Sequence, residues 1–188
     1  MFKISNVEFI LLVLIYEQSK ITGYQLNSII EERGHREWAD IGTTSIYNGL
    51  KKLKQKGYVA SATDRYKKGK GPKGTNFTIT PEGLELLKSE VHRGLAGGRG
   101  WDRSFDLALS ALDVLSVSEV SSALQQRKTG LLQGFEHVQR KYEERSASLP
   151  LAGELLFRHF LLLIKNEIIF TEETISQLNT RFDNNRKE

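Results

Sequence analysis

The stretch from Thr43 to Lys56 interleaves three kinds of residue at helical spacing. Ile46, Leu50 and Leu53 recur three and four positions apart, the period of one buried helix face. Thr43, Thr44, Ser45, Tyr47 and Asn48 bring hydroxyl and amide groups to the first turn or so. Lys51, Lys52, Lys54 and Lys56 follow them. Such a set makes and breaks no covalent bonds. It suits hydrogen bonding to base edges in a major groove, with Asn48 and Ser45 as readers, and ion pairing with phosphates, where lysines position but carry no sequence information. Core packing is the competing reading of Tyr47, because Leu50 one turn on is apolar.

A second cationic cluster lies close by. Lys67, Lys68, Lys70 and Lys73 sit in the Gly/Pro-rich run Lys67-Lys68-Gly69-Lys70-Gly71-Pro72-Lys73-Gly74. Residues 51–73 hold nine basic side chains against Asp64 alone. Residues 1–93 are net +5 and residues 94–188 net −1, so the mild overall charge of +4 hides a strongly one-sided distribution. An excess of that size marks a surface for a polyanion; a merely solvated basic loop is the alternative.

Other chemistries find little support. The chain has no Cys, and His35, His92, His137 and His159 fit no metal-binding spacing. No paired-carboxylate motif, nucleophile elbow or phosphate loop occurs. The run Gly94-Leu95-Ala96-Gly97-Gly98-Arg99-Gly100 has no strand before it and no Lys-Ser/Thr after it. Neither an enzyme nor a cofactor or metal site is expected. The apolar run Phe9–Ile15 follows Lys3 alone and leads to no small-residue cleavage site. Leu155–Phe170 carries Arg158, Lys165 and Glu167, which argues against a membrane span. A cytoplasmic chain is expected.

The elements that position the polar helix follow from local signals. Ser5-Asn6-Val7-Glu8 and Thr22-Gly23-Tyr24-Gln25 are capping boxes that open a first and a second helix. Lys20-Ile21 is long enough only for a small strand against a later hairpin. The second helix stops near Gly34, with Trp38 expected to pack the following loop and His35 expected at the surface. Thr43 or Thr44 is expected to cap the third helix, and Gly57 to end it. Tyr58–Ala62 and Asn76–Thr80 read as hairpin strands around the lysine-rich tip. Thr80-Pro81 starts a fourth helix. Gly94–Gly100 reads as a hinge. Beyond it come a short segment from Phe105 to about Leu112, a long helix capped by Ser116 or Ser118, a break at Pro150, and a second long helix to about Phe182. Leu124, Leu131 and Phe135 on one long helix, and Phe157, Leu161, Ile164, Ile168, Ile175 and Leu178 on the other, form near-heptad stripes. Leu156, Phe160, Leu163 and Phe170 widen the second stripe beyond what one helix pairing needs, so a second copy of the chain is expected to supply the remaining cover.

Helix, helix, helix, hairpin, helix is the order of a winged helix-turn-helix. The segments Gly23-Tyr24, Trp38, Thr44-Ser45-Ile46-Tyr47, Leu50, Leu53, Gly57-Tyr58-Val59, Phe77-Thr78-Ile79-Thr80 and Gly83 resemble the PadR family of regulators over about residues 5–93. The reading is therefore a mainly α chain: a winged helix domain at 1–93, a hinge at 94–104, an antiparallel helical dimerisation domain at 105–182 and a tail at 183–188. The resemblance implies a homodimer on a palindromic double-stranded DNA operator, usually as a repressor and often released by a small-molecule effector. Some long-tailed relatives are activators. Candidate DNA contacts are Thr43, Thr44, Ser45, Tyr47, Asn48, Lys51, Lys52, Lys54, Lys67, Lys68, Lys70 and Lys73. Trp101 and Phe105 are candidate effector-pocket aromatics, against simple packing at the junction. This chain departs from the family at Thr22, Asn48 and Gly71-Pro72-Lys73-Gly74, which bears on its DNA sequence preference. A winged helix used only for protein contact is the alternative function.

Overall fold

The computed structural model describes residues 3–36, 41–63, 74–97 and 103–185, the last five by backbone alone. Ser5 opens helix α1 (Asn6–Gln18) with both halves of its capping box formed by Glu8. Every residue from Glu8 to Ile15 is buried, so α1 is apolar all round and serves as a core helix rather than a surface one. Strand β1 (Ile21–Thr22) leads into helix α2 (Gly23–Glu32), capped reciprocally by Thr22 and Gln25. Helix α3 (Thr43–Gln55) follows, then strands β2 (Val59–Thr63) and β3 (Thr75–Ile79) and helix α4 (Pro81–Ala96). The strands form an antiparallel sheet in the order β1-β3-β2, with Ile21 opposite Phe77 and Val59 opposite Ile79. Both hairpin strands match the sequence reading to within one residue at each end. The chain divides into two compact units, residues 1–91 and 92–188.

Two close approaches fix the first unit. A Cβ on Gly49 of α3 would stand 2.7 Å from Leu11 Cδ1 and 3.3 Å from Val7 Cγ1, so α3 lies close against α1 there. A Cβ on Gly83 would stand 2.1 Å from the Tyr58 carbonyl oxygen, which leaves room for glycine alone where α4 meets the start of the hairpin. At the same junction Thr80 Oγ1 donates to the Gly57 carbonyl (2.8 Å) and accepts from the Gly83 N–H (3.0 Å). Gly57 itself is left-handed (φ 78°) and ends α3, as its sequence position suggests.

Glu8 ties the start of α1 to the end of α3. Its carboxylate accepts from the Ser5 N–H and hydroxyl, both at 2.9 Å, and from Lys56 Nζ at 2.6 Å. Burial pushes the carboxyl up, but the Lys56 bond and the Ser5 bonds together outweigh it, so its pKa lies below the ordinary 4.5.

Several local expectations need correction. Neither Thr43 nor Thr44 caps α3. The extended residue before the first turn is Gly42 (φ −81°, ψ 155°), which has no side chain to cap with. Thr43 Oγ1 instead accepts from Arg36 Nη2 at 3.2 Å. Arg36 also donates to Asn27 Oδ1 (2.7 Å), to the Ile41 carbonyl (3.0 Å) and to Glu31, and so holds the entry to α3 against α2. His35 is buried, not at the surface; burial first, and Arg33 second, push its pKa down. Gly94 does not interrupt the helix. Helix α4 continues through Gly94, Leu95 and Ala96, because one glycine inside a helix is a penalty of only about 1 kcal/mol and does not end it. Trp38, Trp101 and the hairpin tip with Lys67, Lys68, Lys70 and Lys73 lie outside the described residues, as does the side chain of Phe182.

In the second unit, helix α5 (Ser104–Leu109) and a short 3-10 turn (Leu112–Val114) precede helix α6 (Val117–Arg145). Ser116, paired with Glu119, is the cap of α6. Another 3-10 turn (Ser146–Ser148) leads to helix α7 (Leu151–Asn185). The two long helices run antiparallel: Arg127 pairs with Glu167, Lys128 with Glu172, and the ring of Tyr142 packs on Phe157. Leu124, Leu131 and Ile175 are buried within this single chain, and Phe135, Phe157, Leu161, Ile164, Ile168 and Leu178 are half-buried. Arg127 is 1% exposed. Its guanidinium lies 3.6 Å from the centre of the Phe105 ring, donates to Glu167 at 2.5 Å and also donates to the Gly97 carbonyl. Phe105 is therefore buried beneath a cation, and its ring edge meets Phe170 at 6.0 Å between centroids. It packs against Arg127 and Phe170.

Two outcomes follow for the first unit. A carboxyl with a depressed pKa stabilises the fold above its unfolded value, and that contribution is lost as pH falls through its folded value. Glu8→Gln is thus expected to give a shallower loss of stability below pH 4.5 than the parent chain, followed by urea unfolding at several pH values. Parallel acid limbs would show that the Glu8 cluster has no such role. Arg36→Ala is expected to leave the overall unfolding midpoint nearly unchanged while weakening local protection at the start of α3 by about 1–2 kcal/mol. Hydrogen exchange at the Ser45 and Ile46 amides, both bonded to the Gly42 carbonyl, reads this directly; unchanged protection there contradicts it.

Candidate nucleic-acid interface

Helix α3 has three faces. Ile46, Gly49, Leu50 and Leu53 are buried and anchor it. At 100° per residue, Thr44, Asn48 and Lys52 fall on one outward stripe, and Tyr47, Lys51 and Lys54 on another beside it. All six are exposed. The anchoring face is narrow because Gly49 lets α3 approach α1 closely, so most of the helix circumference stays in water.

The polar residues singled out in the sequence divide on this frame. Thr43 is exposed but its hydroxyl is engaged by Arg36. Thr44, Asn48 and Lys52 stand free to face a partner, and Ser45 is half-buried. Tyr47 is 53% exposed, which settles it as a surface residue and not a core one. Its ring still rests on α2: a Cβ on Gly23 would stand 3.1 Å from Tyr47 Cε1. Lys56, at the end of the helix, is turned to Glu8.

The Tyr47 stripe borders a cleft of about 990 Å³ between the start of α2, α3 and the facing parts of β2 and β3. Tyr24, Tyr47 and Phe77 supply its aromatic surface, Lys51 and Lys54 its charge, and Asn76 with the nearby Thr75 and Ser61 its hydrogen-bonding groups. No Asp or Glu lines it among the described residues. Tyr24 is 76% exposed, the most exposed large apolar side chain of the described residues. It was absent from the candidate contacts because Gly23-Tyr24 reads in sequence as the start of a helix, with nothing to show which way the second residue turns. Arg36 was missed for a related reason: its four acceptors are scattered over residues 27–43. Among the described residues no group of three His, Asp or Glu side chains is placed to hold a metal ion, and no helix is long and apolar enough to cross a membrane.

Comparison with known proteins points the same way. Residues 10–89 match the model of the transcriptional regulator PadR-like family. No curated protein matches the chain. Among solved structures, Bacillus subtilis PadR in complex with operator DNA is similar at 20% identity, covering 91% of this chain and 98% of that one, with a TM-score of 0.42. Bacillus subtilis PadR in complex with p-coumaric acid is similar at 20% identity, covering 93% and 99%, with a TM-score of 0.38. A PadR-like transcriptional regulator from Bacillus cereus is similar at 13% identity, covering 93% and 99%, with a TM-score of 0.41. The three-helix core, the antiparallel hairpin and the exposed polar faces of α3 all lie within or beside the stretch, residues 10–89, that is similar to the PadR-like family of transcriptional regulators.

Proposed function

We propose that this chain is a DNA-binding transcriptional regulator that acts in the cytoplasm as a homodimer on a palindromic operator, as a repressor. The observation that carries the reading is α3: a helix anchored by one face, with Thr44, Asn48 and Lys52 on an uncovered stripe and Lys51 and Lys54 beside it, in the segment that matches the PadR-like family. Asn48 and Thr44 are suited to base edges, the lysines to phosphates. Lys67, Lys68, Lys70 and Lys73 add four basic residues in the sequence between β2 and β3 and belong to the same proposal.

The homodimer rests on what α7 leaves uncovered. Leu155, Leu162 and Ile169 stand seven residues apart and are 51%, 61% and 43% exposed; Leu156, Phe160 and Phe170 widen the patch. The half-buried Phe157, Leu161, Ile164 and Ile168 border it. A matching face on a second copy buries both. Two α3 helices set roughly 34 Å apart then meet successive major-groove segments of a two-fold site. A small-molecule effector belongs to the same proposal, acting through its differential affinity for DNA-competent and incompetent arrangements. The p-coumaric acid complex of the Bacillus subtilis protein suggests the first compound to try.

Footprinting of the purified chain on the DNA flanking its own gene is expected to protect one two-fold-related site. Binding there should weaken steeply with salt, by about 0.9 in the log–log slope for each phosphate neutralised. Protection that is absent at low and moderate salt alike contradicts the reading. For the dimer, sedimentation at micromolar concentration is expected to give twice the chain mass. Leu162→Glu should yield a folded monomer with weakened operator binding, since residue 162 is 61% exposed in the single chain. A parent chain that sediments as a monomer excludes the proposed assembly.

A further inference from the structure

We propose that Arg36 sets the aim of α3, and with it the discrimination between an operator and any other duplex, without touching DNA itself. The inference rests on the DNA-binding reading above and adds to it a positioning residue that lies off the outward stripes of α3.

The need for such a residue starts at Gly42. A helix is ordinarily fixed at its entry by a side chain that accepts from the N–H groups of the first turn. Gly42 holds that place in α3 and has no side chain to offer. Arg36 makes the connection on either side of it. Nη1 donates to the Ile41 carbonyl at 3.0 Å, and Nη2 donates to the Thr43 hydroxyl at 3.2 Å. The rest of the guanidinium is turned to α2. Nη2 also donates to Asn27 Oδ1 at 2.7 Å, and Nε donates to the Glu31 carboxylate. Asn27 and Glu31 stand one turn apart on the same face of α2. One rigid, planar fork thus ties two points on α2 to the two residues that flank the entry of α3. A lysine does not reproduce this, because its donors sit at a single point on a flexible stem. The surroundings mark the role as internal. The Arg36 side chain is 23% exposed and its charge is met by Glu31, whereas Lys51, Lys52 and Lys54 are exposed along α3.

The consequence follows from what each kind of contact tolerates. Attraction between an ammonium group and a phosphate falls off gradually with distance, so it survives a small change of aim. A hydrogen bond to a base edge weakens steeply with angle and does not. Thr44 follows Thr43 directly and Asn48 lies one turn beyond it, so slack at the entry of α3 passes to both. Loss of the fork therefore removes reading and leaves attraction in place.

The test is fluorescence anisotropy of the full chain on the footprinted site and on a random duplex of equal length, over a range of salt. Arg36→Lys keeps the charge and loses the fork. It is expected to lower the operator-to-random affinity ratio about tenfold, the scale of one good base contact. The affinity for random duplex and the salt slope should match the parent. Across operators substituted one base pair at a time, discrimination should flatten over the whole half-site. Asn27→Ala removes an acceptor but no charge and should move the ratio the same way; it carries the test if Arg36→Lys does not fold. Hydrogen exchange at the Ser45 and Ile46 amides should quicken in both variants while the urea midpoint stays near that of the parent.

A parent chain that shows no preference for the footprinted site sinks the regulator reading and this proposal with it. A parent that discriminates, beside variants that discriminate equally well, sinks the positioning role alone. Preference lost at one base pair only, with Ser45 and Ile46 as protected as before, would make Arg36 a direct reader and overturn the proposal. So would a salt slope reduced by about 0.9 in Arg36→Ala and restored in Arg36→Lys, the mark of a phosphate contact.

Discussion

Everything on the polar side of α3 in the first unit depends on how little of that helix is spent on anchoring it. Helix α1 is buried on all sides from Glu8 to Ile15 and offers a rigid apolar support. Against it α3 presents Ile46, Leu50 and Leu53, with Gly49 at the closest approach to Leu11. A larger residue at 49 would lever the helix away, and overpacking of a filled core typically destabilises by about 1–3 kcal/mol. The close approach lets a narrow face carry the packing. What is left is a helix whose hydroxyl, amide and ammonium groups keep their water. The ends are held by other means: Arg36 at the start, and Glu8 with Lys56 at the finish. Pinning both ends by charge-assisted bonds fixes the helix direction without covering the surface between them.

The second unit solves a different problem with a buried cation. Arg127 sits on the inner face of α6 at a position where the apolar stripe of that helix would otherwise continue from Leu124 to Leu131. Its charge is met by Glu167 on α7, its ring-facing side by Phe105, and its remaining reach by the Gly97 carbonyl. One residue thereby joins four separate stretches of the chain. Burying an ion is unfavourable unless it is paired, and removing one partner of a buried pair costs about 3–5 kcal/mol. The arrangement favours specificity of register over raw stability: α6 and α7 can slide along an apolar seam, but only one alignment places Glu167 opposite Arg127.

How much of this was legible in the sequence follows from the range of each interaction. The capping boxes at Ser5 and Thr22 join residues three apart and are formed as the sequence implies, and of the two caps offered for α6 the structure takes Ser116, with Glu119 completing a box. Gly57 and the strands on either side of the lysine-rich run are equally local. The reading of Thr43 or Thr44 as a cap failed because the cap position depends on where the preceding loop turns extended, and Gly42 takes that conformation. Gly94 was read as the start of a hinge because glycine clusters weaken helices, but the bond from the Gly97 N–H to the Arg93 carbonyl carries α4 past it. Tyr24, Arg36 and Arg127 went unread for one shared reason. Their surroundings are assembled from distant residues, and no local pattern reports them.

The apolar surface of α7 shows where local and global demands part. A helix pair in a hairpin needs one seam, and α6 with α7 closes it through Leu124, Leu131 and Ile175 at the buried end and through half-buried residues elsewhere. Yet α7 also carries Leu155, Leu156, Phe160, Leu162, Ile169 and Phe170, each more than 40% exposed. Fully burying one such side chain is worth about 1.5–3 kcal/mol. Leaving six of them partly in water forgoes a sum comparable with the whole stability of a small domain, about 5–15 kcal/mol. The pattern is not scatter, because Leu155, Leu162 and Ile169 keep a seven-residue step, the period at which one helix face meets another over several turns. A chain that needed only its own hairpin would carry polar residues at that step. The apolar stripe therefore makes physical sense as half of an interface, and the same reasoning that limits α3 to one buried face explains why α7 has two faces to cover.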